Sequence, residues 1–163
     1  MIEPSKVRAA AIRREKENIR FRIFLKNNAD PDVLDKQFLD SHEELFSGYD
    51  CRACGNCCRV YYINLEDSEV DSIAAYLGVS RRDLVEKLHG RSDGGYGIKP
   101  PCRFLGEDGG CAIYERRPAV CGDYPHTNKP GRLYRLINVL STAEHCPIVF
   151  ETLERLKKLY RFR

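Results

Sequence analysis

No stretch of the chain comes near 18 uninterrupted apolar residues, so no membrane-spanning helix is predicted. The opening residues, MIEPSKVRAAAIRREKENIRF, contain no apolar core of the kind a secretory signal needs. With Met1 as the start, the expected compartment is the cytoplasm. Tryptophan is absent and methionine occurs once, and neither fact excludes a class. There is no P-loop, no GxGxxG and no Ser-His-Asp arrangement. Those routes to nucleotide binding and hydrolysis therefore lose their sequence support, and catalytic residues stay unassigned. No internal repeat or low-complexity segment stands out.

What remains is an ordinary polar chain of 163 residues, enough for one domain and a short appendage. Its net charge of +3 is unevenly spread. Residues 1–28 carry eight Lys and Arg against three Glu, and residues 149–163 carry five against two. The middle is acidic. The basic ends could meet an unknown protein partner and leave nucleic acid open, although a solvated helix face is the simpler reading of each.

Residues 5–27 predict a helix capped by Ser5, with Ile12, Ile19 and Ile23 as its apolar stripe. Pro31 suits the first turn of a second helix over 31–46, with Val33, Leu34, Phe38 and Leu45 or Phe46 on one side. Arg59–Asn64 predicts a strand, 67–77 a helix with Val70, Ile73, Ala74 and Leu77 inward, and Ser80 the start of a short helix to His89. Residues 90–97 predict a loop. The run Gly106–Gly110 predicts a hairpin turn, and Pro118 the first turn of a helix through Cys121. Residues 132–140 predict a strand, and 148–162 a basic amphipathic helix. The expected fold is α+β: a small irregular metal-centred domain with a hairpin and short helices, flanked by N- and C-terminal helices. Its parts are a helical extension over 1–48, a cysteine-cluster domain over 49–148, and a helix over 149–163 packed on it.

Eight cysteines are the informative feature: Cys51, Cys54, Cys57, Cys58, Cys102, Cys111, Cys121 and Cys146. In a reducing cytosol, clustered thiols point to metal rather than disulfides. Thiolates three residues apart converge when a tight turn separates them, and Gly55-Asn56 tolerates such turns. Cys51, Cys54 and Cys57 thus form a three-ligand claw. Ferredoxin-type claws are completed by a cysteine before proline, and here Cys146-Pro147 offers a remote one. If residue 59 onward is a strand, Cys57 and Cys58 diverge and serve different places. Cys102 and Cys111 flank the predicted turn, with Cys121 ten residues on. The expected partition is Cys51, Cys54, Cys57 and Cys146, then Cys58, Cys102, Cys111 and Cys121. Zinc and an iron–sulfur cluster both accept four thiolates. Arg52, Arg59, Arg103, Arg116 and Arg117 lie close in sequence and could offset the charge. With eight thiols present, His42, His89, His126 and His145 read as surface or supporting residues.

Five linked segments carry a resemblance. They are Cys51-Arg-Ala-Cys54-Gly-Asn-Cys57-Cys58-Arg59, Pro101-Cys102-Arg-Phe-Leu105, Cys111-Ala-Ile-Tyr114-Glu-Arg-Arg117-Pro118-Ala-Val-Cys121, Tyr124-Pro125 and Cys146-Pro147. Their identity and order resemble the CxxCxxCC cysteine-cluster family, bacterial proteins held to chelate zinc or iron, over roughly residues 49–148. A similar cluster occurs in flagellin lysine N-methylase. That likeness implies an iron–sulfur centre in preference to zinc, without implying the methylase activity of that much longer enzyme. The expectation is an iron–sulfur protein with a redox, sensing or cofactor-related role. Its rivals are a zinc-stabilised interaction module and a metal buffer.

Overall fold

In the computed structural model, which describes all 163 residues, the chain opens in a 3-10 turn at Pro4–Lys6. It runs on through helices α1 (Val7–Asn28) and α2 (Pro31–Phe46). Asp30 separates the two helices: its carboxylate accepts from the N–H groups of Asp32 and Val33, both at 3.0 Å. A turn at Cys51–Ala53 precedes α3 (Asn56–Val60), β1 (Ile63–Leu65), α4 (Asp67–Leu77) and α5 (Arg81–Val85). Then come β2 (His89–Gly90), β3 (Tyr96–Ile98) and α6 (Ala119–Asp123). A 3-10 turn at Arg132–Arg135 leads into α7 (Leu136–Ala143), followed by α8 (Pro147–Leu159). The fold class is α+β, with helices at both ends.

The chain divides into two units: Met1–Asp50 with Pro125–Arg163, and Cys51–Tyr124. The first is helical. Within it α8 packs against α1, α2 and α7, and α1 also meets α7. Its buried residues include Phe21, Leu25, Leu34, Phe38, Leu136, Ile148, Leu153 and Leu156. The fully buried Lys157 ammonium lies between the carboxylates of Glu17 and Glu154, the pairing that a buried charge requires. Residues 125–147 and the C-terminal helix both belong to this unit.

The second unit holds a three-stranded antiparallel sheet in the order β1-β3-β2. Ile63 faces Ile98, Leu65 faces Tyr96, and His89 faces Gly97. Leu65, Val70, Ile73, Ala74, Leu84, Ile98, Phe104 and Ile113 form one core, with Cys102 and Cys111 against it. Glu66 and Glu69 make a capping box at the head of α4, and Gly78 ends that helix in the left-handed conformation.

Several expectations are corrected. Ser5 caps nothing, because the 3-10 turn carries the chain past it and α1 begins with no side-chain cap. The isoleucine stripe of α1 faces outward: Ile12, Ile19 and Ile23 are 55%, 45% and 51% exposed. The buried face is Val7, Ala10, Ala11, Asn18, Phe21 and Leu25, where alanine lets neighbours approach closely. Val33 and Leu77 also lie outside the core. The strand expected over 59–64 is helical through Val60, closed by Tyr61 N–H donating to the Cys57 carbonyl at 3.0 Å, and extended only from Ile63. The helix expected to reach His89 stops at Val85, because His89 joins the sheet. Residues 96–97, expected in a loop, pair with both neighbouring strands. Residues 132–140 are helical rather than a strand. Leu136, Val139 and Ala143 are the buried positions, a helical spacing that a window ending at 140 hides.

Candidate metal centre

The Cys-x-x-Cys spacing is built by a local turn. The N–H of Cys54 donates to the Cys51 carbonyl at 3.1 Å, and Gly55 N–H reaches the same oxygen at 3.4 Å. Gly55 then adopts φ of +63°, which starts α3 and brings Cys57 and Cys58 round. A Cβ at this glycine would stand 3.1 Å from Leu105 Cδ1 and 3.2 Å from the Gly109 carbonyl oxygen. Gly55→Ala therefore combines left-handed strain with crowding against another backbone. We expect it to cost at least about 1–2 kcal/mol in a denaturant melt, with metal uptake reduced alongside.

Other segments bring the remaining thiols in. Cys102 N–H donates to the Cys58 carbonyl at 2.7 Å. Cys111 forms an antiparallel bridge with Leu105 across the predicted turn, where Gly106 N–H donates to the Gly110 carbonyl at 2.8 Å. Cys121 rides on α6. Pro118 is the N-cap there, and Glu69 of α4 accepts from Ala119 N–H at 2.8 Å. Glu69 was not singled out in the sequence. Its position as the N3 residue of α4 is the signal that fixes one of its oxygens, and the other is left to hold α6.

The electrostatics tie four thiols into one group. Burial raises the pKa of Cys102, with further increments from Cys58 and Cys111. Burial also raises Cys111, with Cys58 adding to it and Arg117 opposing. Cys121 is pushed up to about 12 by burial and by Cys58, Cys102, Cys111 and Glu69. Cys58 is raised most by a thiol–thiol hydrogen bond with Cys57, then by burial, with Arg59 pulling the other way. Cys58 thus bears on Cys102, Cys111 and Cys121 alike, which puts the four within electrostatic range of one another.

Cys57 and Cys58 therefore do not diverge. They sit on one short helix, not an extended strand, and their sulfurs meet. Cys51, Cys54 and Cys57 belong to this unit, all half-buried. Cys146 belongs to the helical unit, where it is buried at the N-cap of α8 and its N–H donates to the Thr142 carbonyl at 2.9 Å. None of the eight cysteines is in a disulfide. No three His, Cys, Asp or Glu groups are drawn together closely enough to hold one metal ion in this conformation. Capture of an ion by the four coupled thiols would thus include side-chain rotation.

Of the five arginines, Arg59 and Arg117 act on cysteines directly. Arg59 also donates to the Cys54 carbonyl at 3.2 Å. Arg52 and Arg117 lie over the Tyr114 ring, whereas Arg103 and Arg116 reach backbone carbonyls. The donor chemistry fits a thiophilic centre: four soft donors, protonated as they stand, with cations at the edge. Among the histidines, His42 Nδ1 is 2.7 Å from Thr127 Oγ1, and His89 Nδ1 is 3.1 Å from Tyr62 Oη.

Seven of the eight cysteines lie in the unit Cys51–Tyr124, which marks a cysteine-cluster class of protein. Residues 50–147 match the CxxCxxCC family, described as "Putative zinc- or iron-chelating domain". The chain belongs to that family. No curated protein and no solved structure matches it. No helix is long and apolar enough to cross a membrane.

Proposed function

We propose that this protein carries an iron–sulfur cluster and uses it in a redox, sensing or cofactor-related role. The observation that carries the reading is the mutual coupling of Cys58, Cys102, Cys111 and Cys121 beside the claw of Cys51, Cys54 and Cys57. The Cys-x-x-Cys-x-x-Cys run also follows the ferredoxin pattern. The coupled four would hold the centre, with Arg59 and Arg117 offsetting its negative charge. Bound there, such a centre supplies one-electron chemistry. The test is purification without oxygen, followed by iron, acid-labile sulfide and zinc analysis. We expect iron and sulfide in matching amounts, with broad visible absorption that bleaches on dithionite. Stoichiometric zinc without iron or sulfide would overturn the reading, because zinc is redox-inert.

The second reading is a zinc-stabilised interaction module without catalysis. The observation in its favour is the outward ridge of Ile12, Ile19 and Ile23 on α1, flanked by Arg8, Lys16, Arg20 and Lys26 with one acid, Glu15, among them. An acidic amphipathic helix of a protein partner fits such a ridge, whereas a second copy would set cation against cation. On this reading an acidic amphipathic peptide binds in a salt-sensitive way, and Ile19→Asp abolishes the binding. Unchanged binding by that variant would remove the ridge from the account.

A further inference from the structure

The helical unit contains a cavity of about 140 Å³ whose wall is rich in cations. That volume is far above the ~10–15 Å³ needed for one water. The cavity is lined by His126, Lys129, Arg132, Arg135, Asn138 and Thr142, among others. All belong to Pro125–Arg163. The loop that forms it is pinned from α2, where the Asp35 carboxylate accepts from Gly131 N–H at 2.6 Å and from Arg132 N–H at 2.8 Å.

Arg132 is the unusual member. It is 3% exposed, yet its guanidinium makes no ion pair. Its one hydrogen bond runs from Nη2 to the Pro130 carbonyl at 3.3 Å, and its buried Nε has no partner. Asp35 is near enough to favour its charge, but both Asp35 oxygens accept from backbone N–H groups. Arg135 lies close enough to disfavour that charge, so two arginines line the cavity without a hydrogen-bonded anion. A buried cation left this way is costly, and the unpartnered Nε marks Arg132 as a residue of this wall whose hydrogen bonds are incomplete.

We propose that this cavity is a binding site for a phosphate-class oxyanion, gripped by Arg132 and Arg135, with Lys129 adding charge and Asn138 a further donor. The choice of phosphate over carboxylate follows from valence. One guanidinium fork saturates both oxygens of a carboxylate, whereas a tetrahedral phosphate presents oxygens to two forks at once and carries charge for both. The site lies wholly within the helical unit and does not depend on which metal the cysteines hold.

Calorimetric titration of the full chain, at constant ionic strength in chloride, tests this with three probes: inorganic phosphate, phenyl phosphate and acetate. We expect saturable one-to-one binding of a phosphate probe, with acetate at least tenfold weaker. Tighter inorganic phosphate identifies the free ion, and tighter phenyl phosphate identifies a monoester headgroup. Arg132 supports the loop and its loss could unfold it, so Arg135→Ala, an exposed position, is the deciding variant. It should weaken phosphate binding tenfold or more with an unchanged melt in chloride. In the unsubstituted protein, the Nε–H resonance of Arg132 should move on phosphate addition. Absence of saturable binding, undiminished binding in Arg135→Ala, or a stationary Arg132 resonance would each overturn the proposal.

Discussion

Cys58→Ser and Cys121→Ser are each expected to strip the metal from the coupled thiols, with affinity falling by at least ~100-fold. Loss of a supporting residue alone typically costs 10–100-fold, and these are the donors themselves. Cys102→Ser and Cys111→Ser should behave alike, because the four thiols act on one another as a group. Cys51→Ser and Cys54→Ser should remove a different share of the metal if the claw forms its own site. Metal per chain, measured on each variant purified without oxygen, distinguishes these outcomes. A helical circular dichroism spectrum equal to that of the parent protein must accompany the loss. Equal loss from every variant would instead indicate one shared centre joined through the Cys57–Cys58 pair, whose sulfurs meet. Retention of all metal by Cys58→Ser and Cys121→Ser would remove the coupled group as a site.

How much of this was legible beforehand depended on the range of the forces involved. The turn at Cys51–Gly55 could be read because its geometry is local: three-residue spacing and a glycine suffice to specify it. The hairpin around Gly106–Gly110 was readable for the same reason, and it placed Cys102 and Cys111 on its two arms. The capped helices α2 and α4 matched their expected spans because Asp30, Pro31 and Gly78 mark their ends chemically. The outward face of α1 was not legible. Isoleucine outranks alanine in any apolar count, yet Ala10 and Ala11 are buried while Ile12 is not. Close packing there favours small side chains, a tertiary effect that periodicity does not register. The strand-like stretch after Cys58 failed similarly. Its β-branched and aromatic composition is overridden by a glycine-started turn of helix on which the cysteines ride. Arg132 gave no signal at all. A lone arginine looks like surface until the fold buries it.

Metal affinity should rise steeply with pH, and the sign follows from the thiols. Cys58, Cys102, Cys111 and Cys121 all hold their protons more tightly than a free cysteine does, chiefly through burial for three of them and through the Cys57 hydrogen bond for Cys58. At neutral pH the metal-free group is therefore four neutral thiols. Each metal–thiolate bond releases one proton, so four ligands make the apparent affinity climb by up to ~10⁴ per pH unit. Competition against a chelator of known affinity at several pH values near 7 measures that slope. The metal-free protein should respond in the opposite direction. A raised native pKa means that the native state keeps protons which the unfolded chain gives up above about pH 8.5. The contribution of these thiols to stability is thus complete below that pH and is lost as the pH climbs towards about 12, where Cys121 titrates. Metal should consequently stabilise the protein most in alkaline buffer, where the metal-free form is weakest and the thiolates cost least to form. An affinity that is flat with pH would assign the metal to donors other than these four thiols.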